Sequence, residues 1–312
     1  MVHKLSEINR QALENPAQFI RQSDEEFEQQ LDRVAQRIIA HTAVSPIVFM
    51  AGPSGSGKTT TAQKISAHVI AGGAKAHTVA LDHYFRSVSE KTYPRTEDGE
   101  LDYESPYCLD LDLLQEHFHA LNRGERIEIP RYHFTNQTQQ KNTGEFLQVE
   151  PGDMVIFEGI HALNDMFAEM APQALRLYIS PSSSFVDDGG QTVLSGTALR
   201  LCRRILRDNQ FRNTPAKETM RMWANIRRGE LKNIDPYKDR ADLQIDSALA
   251  YEACIMRGYM QELMADIPEH IGLHEEIAPI PAALSHFTPI APELVAPEGL
   301  LREFMGGGIY EY

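Results

Sequence analysis

The segment Gly52-Pro53-Ser54-Gly55-Ser56-Gly57-Lys58-Thr59 decides the fold, because it matches the phosphate-binding P-loop pattern G-x-x-x-x-G-K-[ST]. The apolar run over 47–51 predicts a buried strand before it, and 58–71 has the pattern of a helix after it. Glycines let such a backbone approach phosphates closely, and its N–H groups and the helix N-terminus face the anion. The segment therefore predicts binding of a nucleoside triphosphate.

The last two residues of this loop have different expected roles. Lys58 is expected to reach the β- and γ-phosphates, and the Thr59 hydroxyl is expected to hold Mg²⁺. The predicted cofactors are therefore ATP and Mg²⁺. The predicted ATP-binding residues are Gly52, Ser54, Gly55, Ser56, Gly57, Lys58, Thr59 and Thr60.

Composition excludes several classes of protein. A formal net charge of −14 at pH 7 argues against general binding to nucleic acid or to anionic membranes. No apolar stretch approaches the length of a transmembrane span, and the N-terminus has no apolar signal region. The three cysteines are far apart, as is typical of a reducing compartment. We expect a cytoplasmic protein without nucleic-acid or membrane partners.

The first 43 residues have the pattern of a helical leader. Ser23-Asp24-Glu25-Glu26 matches a capping box and predicts a helix start at that point. Apolar residues then recur at helical spacing, at Phe27, Leu31, Val34 and Ile38. We expect this apolar face to pack on the core of the protein.

From residue 47 onward, apolar strands alternate with helices. This pattern predicts an α/β fold of the P-loop NTPase class, with a parallel sheet covered by helices on both faces and helical extensions at both termini. The predicted strands are 47–51, 77–81, 154–157, 175–179 and 241–245, and the predicted helices lie around 58–71, 110–122, 161–171 and 197–211. Ligands bind beyond the carboxyl ends of such strands, so the P-loop, Asp82 and Glu158 are expected to be neighbours.

Two carboxylates directly follow predicted strands. Glu158 is expected to hold Mg²⁺ or its waters, although a helix cap or a solvated strand end would explain it as well. Asp82 is expected to accept the proton of an attacking substrate hydroxyl, and its alternative role is a helix N-cap.

Five arginines lie between residues 200 and 212, and four of them are spaced to share one broad helix face. Guanidinium groups suit phosphate oxygens and stabilise charge during phosphoryl transfer. The segment therefore predicts a lid over the nucleotide, and the alternative is a solvated basic face.

At these residues the chain resembles the uridine kinase branch of the uridine kinase and phosphoribulokinase family. The resemblance spans roughly residues 46–250, and the order and spacing of its motifs make it specific. The motifs are the P-loop, 81–85, 103–110, 129–134, 157–159 and the arginine-rich segment.

The resemblance implies roles for individual side chains. Asp82 takes the position of the base that activates a nucleoside 5′-hydroxyl, and Lys58 and Arg207 complete the predicted catalytic set. Tyr103 and Phe134 match aromatic residues that sandwich the base, Tyr132 matches a polar contact, and Glu104 stands where the family usually has an Asp that grips the ribose hydroxyls. The predicted substrate-binding residues are Tyr84, Tyr103, Glu104, Tyr132, Phe134, Gln137, Arg204 and Arg212, and the predicted metal ligands are Thr59 and Glu158.

Two positions depart from the family pattern. Gln137 stands where pyrimidine kinases place a histidine that reads the base, and Thr214 replaces a second lid arginine. The first departure leaves the preferred base open, and the second leaves the full charge of the lid open.

The expected activity is ATP-dependent phosphoryl transfer to a nucleoside. Other readings are a kinase of the same fold acting on a sugar phosphate or pantothenate, and a nucleotide-binding protein without kinase activity. A GTP switch is disfavoured, because Asp187-Asp188-Gly189-Gly190 matches D-x-x-G in a loop and no [NT]-K-x-D guanine reader is present.

We expect an N-terminal extension over 1–43, a kinase domain over 44–250 and a C-terminal appendage over 251–312. Within the domain, an insert over about 93–148 is expected to bind substrate and a lid over about 197–215 to cover it. The resemblance also implies a homo-oligomer, either a dimer or a tetramer.

Overall fold

The computed structural model of the chain describes residues 2–96, 99–103, 105–265 and 280–310. Its helices are α1 (Leu5–Glu14), α2 (Pro16–His41), α3 (Lys58–Ala71), α4 (Leu111–Asn122), α5 (Asp165–Met170), α6 (Gly196–Arg212), α7 (Ala216–Asn233), α8 (Glu252–Leu263), α9 (Ile280–Leu284) and α10 (Arg302–Met305). Its strands are β1 (Val2–Lys4), β2 (Ile47–Ala51), β3 (Ala76–Ala80), β4 (Ile127–Glu128), β5 (Arg131–His133), β6 (Thr138–Gln140), β7 (Phe146–Leu147), β8 (Met154–Glu158), β9 (Leu175–Ser180), β10 (Ser184–Val186), β11 (Thr192–Leu194) and β12 (Leu243–Asp246). Short 3₁₀ segments lie at Leu81–Tyr84, Pro106–Cys108, Asp235–Arg240 and Pro292–Leu294.

The five predicted strands form one parallel sheet in the order β12-β9-β2-β8-β3. β2 lies at the centre, hydrogen-bonded to β8 on one side and to β9 on the other. Every residue of β2 and β8 is buried, as expected for strands covered on both faces. The α/β fold class and the parallel sheet are therefore confirmed.

Alternate residues of the central strands enter two separate apolar cores. Val48 and Met50 pack with residues of α2, α3, α6 and α8 on one face of the sheet. Ile47 and Phe49 pack with residues of α4 and α5 on the other. One predicted helix begins later than expected: α5 starts at Asp165 rather than near 161, because the Asn164 side chain caps it.

The leader consists of β1, α1 and the long helix α2, which begins before the predicted capping box. α2 starts at Pro16, and the Asn15 side chain caps it by accepting a hydrogen bond from the Gln18 N–H over 3.1 Å. The predicted helix start at Ser23 is therefore wrong. The Ser23 hydroxyl instead accepts a hydrogen bond from the Ala250 N–H over 3.1 Å, which fastens the helix to the chain beyond β12.

The apolar face of α2 packs on the core, as its spacing predicted, since Phe27, Leu31, Val34 and Ile38 are all buried. The chain before α1 adds β1 in parallel to β10, and β10 pairs antiparallel with β11, so the leader also completes a small second sheet. Both attachments hold residues 2–41 against the central fold.

The C-terminal segment 290–305 returns to the same core. Its buried apolar residues are Ile290, Val295, Leu300, Leu301, Phe304 and Met305. The three cysteines, Cys108, Cys202 and Cys254, are buried thiols that form no disulfide. Within the described part of the chain, every helix is too short or too polar to span a bilayer.

Candidate active site

The phosphate-binding loop connects the end of β2 to the first residue of α3. Gly57 immediately before the helix has a φ of +86°, and a Cβ on it would lie 2.7 Å from a methyl carbon of Leu300. Only glycine therefore fits this position without strain. The loop presents the N-terminus of α3 to the carboxyl edge of the sheet, where backbone N–H groups can hold an anion.

Lys58 is the first residue of α3, and its ammonium group lies over the loop, donating to the Pro53 carbonyl oxygen over 3.3 Å. Removal of this group from bulk water lowers the pKa of Lys58, although Glu158, Glu303 and Asp82 act in the opposite direction. Three carboxylates therefore lie within electrostatic reach of the ammonium group.

Glu158 ends β8 directly beside the loop. Its Oε1 accepts a hydrogen bond from the Thr59 hydroxyl over 3.1 Å. Burial raises the pKa of Glu158 to about 7, and the nearby Asp82 adds to this rise while Lys58 opposes it. The pair offers two oxygen ligands of the kind that Mg²⁺ prefers.

Asp82 lies in the 3₁₀ segment that follows β3, at the same edge of the sheet. The residue is open to solvent, yet the crowded cleft raises the pKa of its carboxyl by desolvation, while Lys58, His83 and Arg212 lower it. A carboxylate with this placement can accept a proton from a substrate hydroxyl. The structure thus places the three predicted elements, the P-loop, Asp82 and Glu158, at one edge.

Arg200 and Arg203 are buried supports of the loop. Arg200 donates to the Ser54 carbonyl oxygen over 3.0 Å and pairs with Glu230. Arg203 pairs with Glu252 and donates to the Gly55 and Ser56 carbonyl oxygens, both over 3.2 Å. Arg200 and Arg203 therefore belong to neither a lid nor a solvated surface, and the prediction of a broad arginine face is wrong for these two residues.

The remaining arginines of α6 converge on Asp208. Its buried carboxylate lies 3.2 Å from Arg204, 2.9 Å from Arg207 and 3.5 Å from Arg212. Arg204 also donates to the Ser54 hydroxyl over 2.6 Å, so it contacts the phosphate-binding loop itself. Asp208 therefore holds three guanidinium groups in one cluster beside that loop.

An aromatic cluster lies in the insert between β3 and β8. Phe85, Tyr132 and Phe134 contact one another edge to face, with ring centroids 5.1 to 6.5 Å apart. Tyr103 packs against Tyr93 at 6.1 Å. Phe134 is 65% exposed, so one wall of the cluster is open to a ligand.

Two other predicted substrate contacts have different surroundings. Gln137 occupies the turn between β5 and β6 with a φ of +56°, and its side chain is exposed. Tyr84 is fully buried, and its hydroxyl shares a hydrogen bond of 2.8 Å with His117 Nδ1. The expectation that Tyr84 contacts substrate is therefore wrong, because its polar atom faces the core. Glu104 lies outside the described residues.

Four acidic residues with clear partners were missed in the sequence. Asp208 lies four residues from both Arg204 and Arg212, and this helical spacing could have revealed it. Glu252 and Glu303 meet their partners only through the tertiary fold, so no local pattern points to them. Glu230 pairs with Arg227 on its own helix, but its contact with Arg200 also depends on the tertiary fold.

Glu303 belongs to α10 in the C-terminal segment. Its Oε2 accepts hydrogen bonds from the Thr60 backbone N–H over 3.2 Å and from the Thr60 hydroxyl over 2.7 Å. The predicted C-terminal appendage therefore reaches the phosphate-binding helix.

The sequence matches the phosphoribulokinase / uridine kinase family over residues 47–251. A uridine kinase from Staphylococcus haemolyticus is 31% identical over 65% of this chain and 88% of its own length. A uridine kinase from Halobacterium salinarum is 30% identical over 65% of this chain and 81% of its own length. A solved structure from Bacillus stearothermophilus, described as a possible uridine kinase, is 19% identical and covers 71% of this chain and 100% of its own, with a TM-score of 0.47.

Proposed function

The chain belongs to the phosphoribulokinase and uridine kinase family, and on that premise we propose that it transfers the γ-phosphoryl group of ATP to the 5′-hydroxyl of a nucleoside. The observation that carries the proposal is the meeting of Lys58, Asp82 and the Thr59–Glu158 pair at one edge of the sheet. The proposal that the acceptor is a nucleoside is supported by the uridine kinases among the relatives and by the open aromatic cluster.

The donor would bind along the loop from Gly52 to Thr60. Backbone N–H groups of the loop and of α3 would hold its phosphates, and the Lys58 ammonium group would approach the β- and γ-phosphates. Arg207 and Arg212, which Asp208 holds beside the loop, would stabilise the charge that develops on the transferred group.

Magnesium fits the residues at this edge. Thr59 Oγ1 and the Glu158 carboxylate would hold it, and bound Mg²⁺ would neutralise charge on the β- and γ-phosphate oxygens. The described residues contain no group of three histidines, cysteines or acids that could form a metal cage. This donor set is typical of Mg²⁺, which usually keeps waters and phosphate oxygens as its other ligands.

The acceptor would lie between the aromatic cluster and Asp82. Phe134 and Tyr103 would stack on the base, Tyr132 would contact it, and Gln137 and Glu104 would complete the site. Asp82 would accept the proton of the 5′-hydroxyl as that oxygen attacks phosphorus. Closure of the exposed end of the predicted lid, residues 209–215, would exclude water and so suppress hydrolysis of ATP.

The remaining expectations are part of the same proposal. The kinase domain would span 44–250, and the protein would work in the cytoplasm as a dimer or a tetramer. Its buried cysteines, which form no disulfide, are consistent with a reducing compartment. Sedimentation analysis at several concentrations would measure the oligomeric state.

The test is ATP turnover with Mg²⁺ against uridine, cytidine, adenosine, guanosine, inosine, pantothenate and simple sugars, with products identified by mass. A nucleoside monophosphate is the expected product. Turnover of only pantothenate or a sugar would support the kinase activity but show that the acceptor is not a nucleoside. Hydrolysis of ATP at the same rate with every compound would contradict the nucleoside proposal.

A further inference from the structure

A carboxylate from the C-terminal segment lies at the N-terminus of the phosphate-binding helix. Glu303 Oε2 is 3.2 Å from the Thr60 backbone nitrogen and 2.7 Å from its hydroxyl oxygen. Glu303 is only 8% exposed. The contact joins residues that are 243 positions apart, so only the folded chain creates it.

The position that this carboxylate occupies suits a phosphate. Thr60 is the third residue of α3, and the first four N–H groups of a helix have no partner within the helix. In a P-loop these groups bind the phosphates of the nucleotide. Glu303 also lies close enough to Lys58 and Glu158 to shift the pKa of each upward. An internal anion therefore occupies a phosphate position in the proposed donor site.

The backbone that carries Glu303 is firmly packed. Leu301 and Phe304 on either side are fully buried, and the Phe304 ring lies 5.1 Å from the Arg203 guanidinium group. Leu300 packs directly on Gly57 of the loop. Because these neighbours hold the segment in place, displacement of Glu303 from Thr60 would require rotation of its side chain rather than movement of the segment.

We propose that Glu303 is a built-in competitor for the donor nucleotide. Its carboxylate takes the place of a donor phosphate on Thr60, and ATP or ADP binds by displacing it. The resident anion thus weakens donor affinity and keeps the N-terminus of α3 neutralised between turnovers. This inference rests on the donor half of the proposed function and is independent of the acceptor.

The test compares binding of ADP and of adenosine to the full chain by calorimetry in magnesium buffer. Glu303→Gln removes the competing charge, so ADP should bind about tenfold more tightly, the scale of a charge-assisted hydrogen bond. Adenosine carries no phosphate, and its affinity should stay unchanged. Glu298→Gln removes an exposed carboxylate from the same segment and should leave the affinity for ADP unchanged.

Equal or weaker ADP binding by Glu303→Gln, at an unchanged melting temperature, would overturn the proposal and make Glu303 a structural cap of α3. Glu303→Ala serves as the second variant if the glutamine variant unfolds, and it should also bind ADP more tightly.

Two further outcomes separate this proposal from the proposed function. If Lys58→Ala binds ADP as the parent does, the donor site is not at the P-loop and both proposals fail. If no nucleoside is phosphorylated but Glu303→Gln still tightens ADP binding, the result supports the role of Glu303 as a competitor. It contradicts only the proposal that the acceptor is a nucleoside.

Discussion

The Thr59 hydroxyl donates a hydrogen bond to Glu158 Oε1 over 3.1 Å, although the two residues are 99 positions apart. The contact ties the first turn of the phosphate-binding helix to the end of the neighbouring strand. Because burial raises the pKa of Glu158 to about 7, the protonation of this pair changes within the physiological range.

Magnesium binding should therefore depend on pH. A carboxyl group binds Mg²⁺ in its ionised form, so the affinity for Mg²⁺ should increase as the pH rises through about 7. Titration of Mg²⁺ into the ADP complex between pH 6 and pH 8 measures this dependence. Glu158→Gln should bind Mg²⁺ weakly and with a flat profile, and an equally steep profile in that variant would assign the titration to another group.

The same carboxyl should make the free protein less stable at higher pH. Its folded pKa of about 7 exceeds the ordinary value of 4.5, so the folded state holds the proton more tightly than the unfolded state. The stabilisation is complete below about pH 4.5 and is lost as the pH rises to about 7. Thermal melting of Glu158→Gln without ligands should show a smaller decline across this window than the parent.

Asp82→Asn should separate binding from chemistry. The amide has nearly the same shape but cannot accept the proton, so turnover should fall by about 100-fold or more. ADP affinity should remain close to that of the parent. Single-turnover kinetics and calorimetry measure the two quantities, and normal turnover in this variant would remove the assignment of Asp82 as the base.

Arg203→Met should destabilise the whole fold. Both partners of the Arg203–Glu252 pair are fully buried, and breaking such a pair leaves an unpaired charge that costs about 3–5 kcal/mol of unfolding free energy. The double variant with Glu252→Leu should recover much of this loss.

Arg10→Met is the matched control for that loss, because the Arg10–Glu7 pair is half exposed and water screens the attraction between its charges. Its loss should therefore change the free energy of unfolding far less. Urea denaturation compares these variants. Equal losses from the buried and the exposed pair would contradict the prediction.

Phe134→Ala should weaken acceptor binding. The ring is exposed and offers a stacking surface, and loss of one base–aromatic stack should raise the acceptor KM by about tenfold. Phe146→Ala removes another exposed ring of the insert, which lies 4.2 Å from the Arg126 guanidinium group, and should leave this KM unchanged. Steady-state kinetics with the best acceptor of the panel distinguishes the two rings.

The central sheet could be predicted because its evidence is local. Each strand is a short apolar run, and the P-loop fixes where the first strand ends and the next helix begins. The positions of Asp82 and Glu158 follow from the rule that parallel strands end at one edge.

Other features depend on contacts that local sequence does not encode. Tyr84 has the kind of side chain that often binds substrates, but its hydroxyl is hydrogen-bonded to His117 in the core. Ser23 has the pattern of a cap, but Asn15 begins the helix earlier. The roles of Arg203 and Glu303 require partners from distant parts of the chain.

The burial of all three cysteines makes this protein convenient for fluorescence work. Burial raises the pKa of Cys254 to about 12 and that of Cys202 further, so neither thiol presents a reactive thiolate to a maleimide dye at neutral pH. Cys108 is buried as well. Dyes attached after Asn209→Cys on α6 and Thr135→Cys on the insert, both exposed positions, would therefore report the distance between the end of α6 and the aromatic cluster without any prior removal of native thiols.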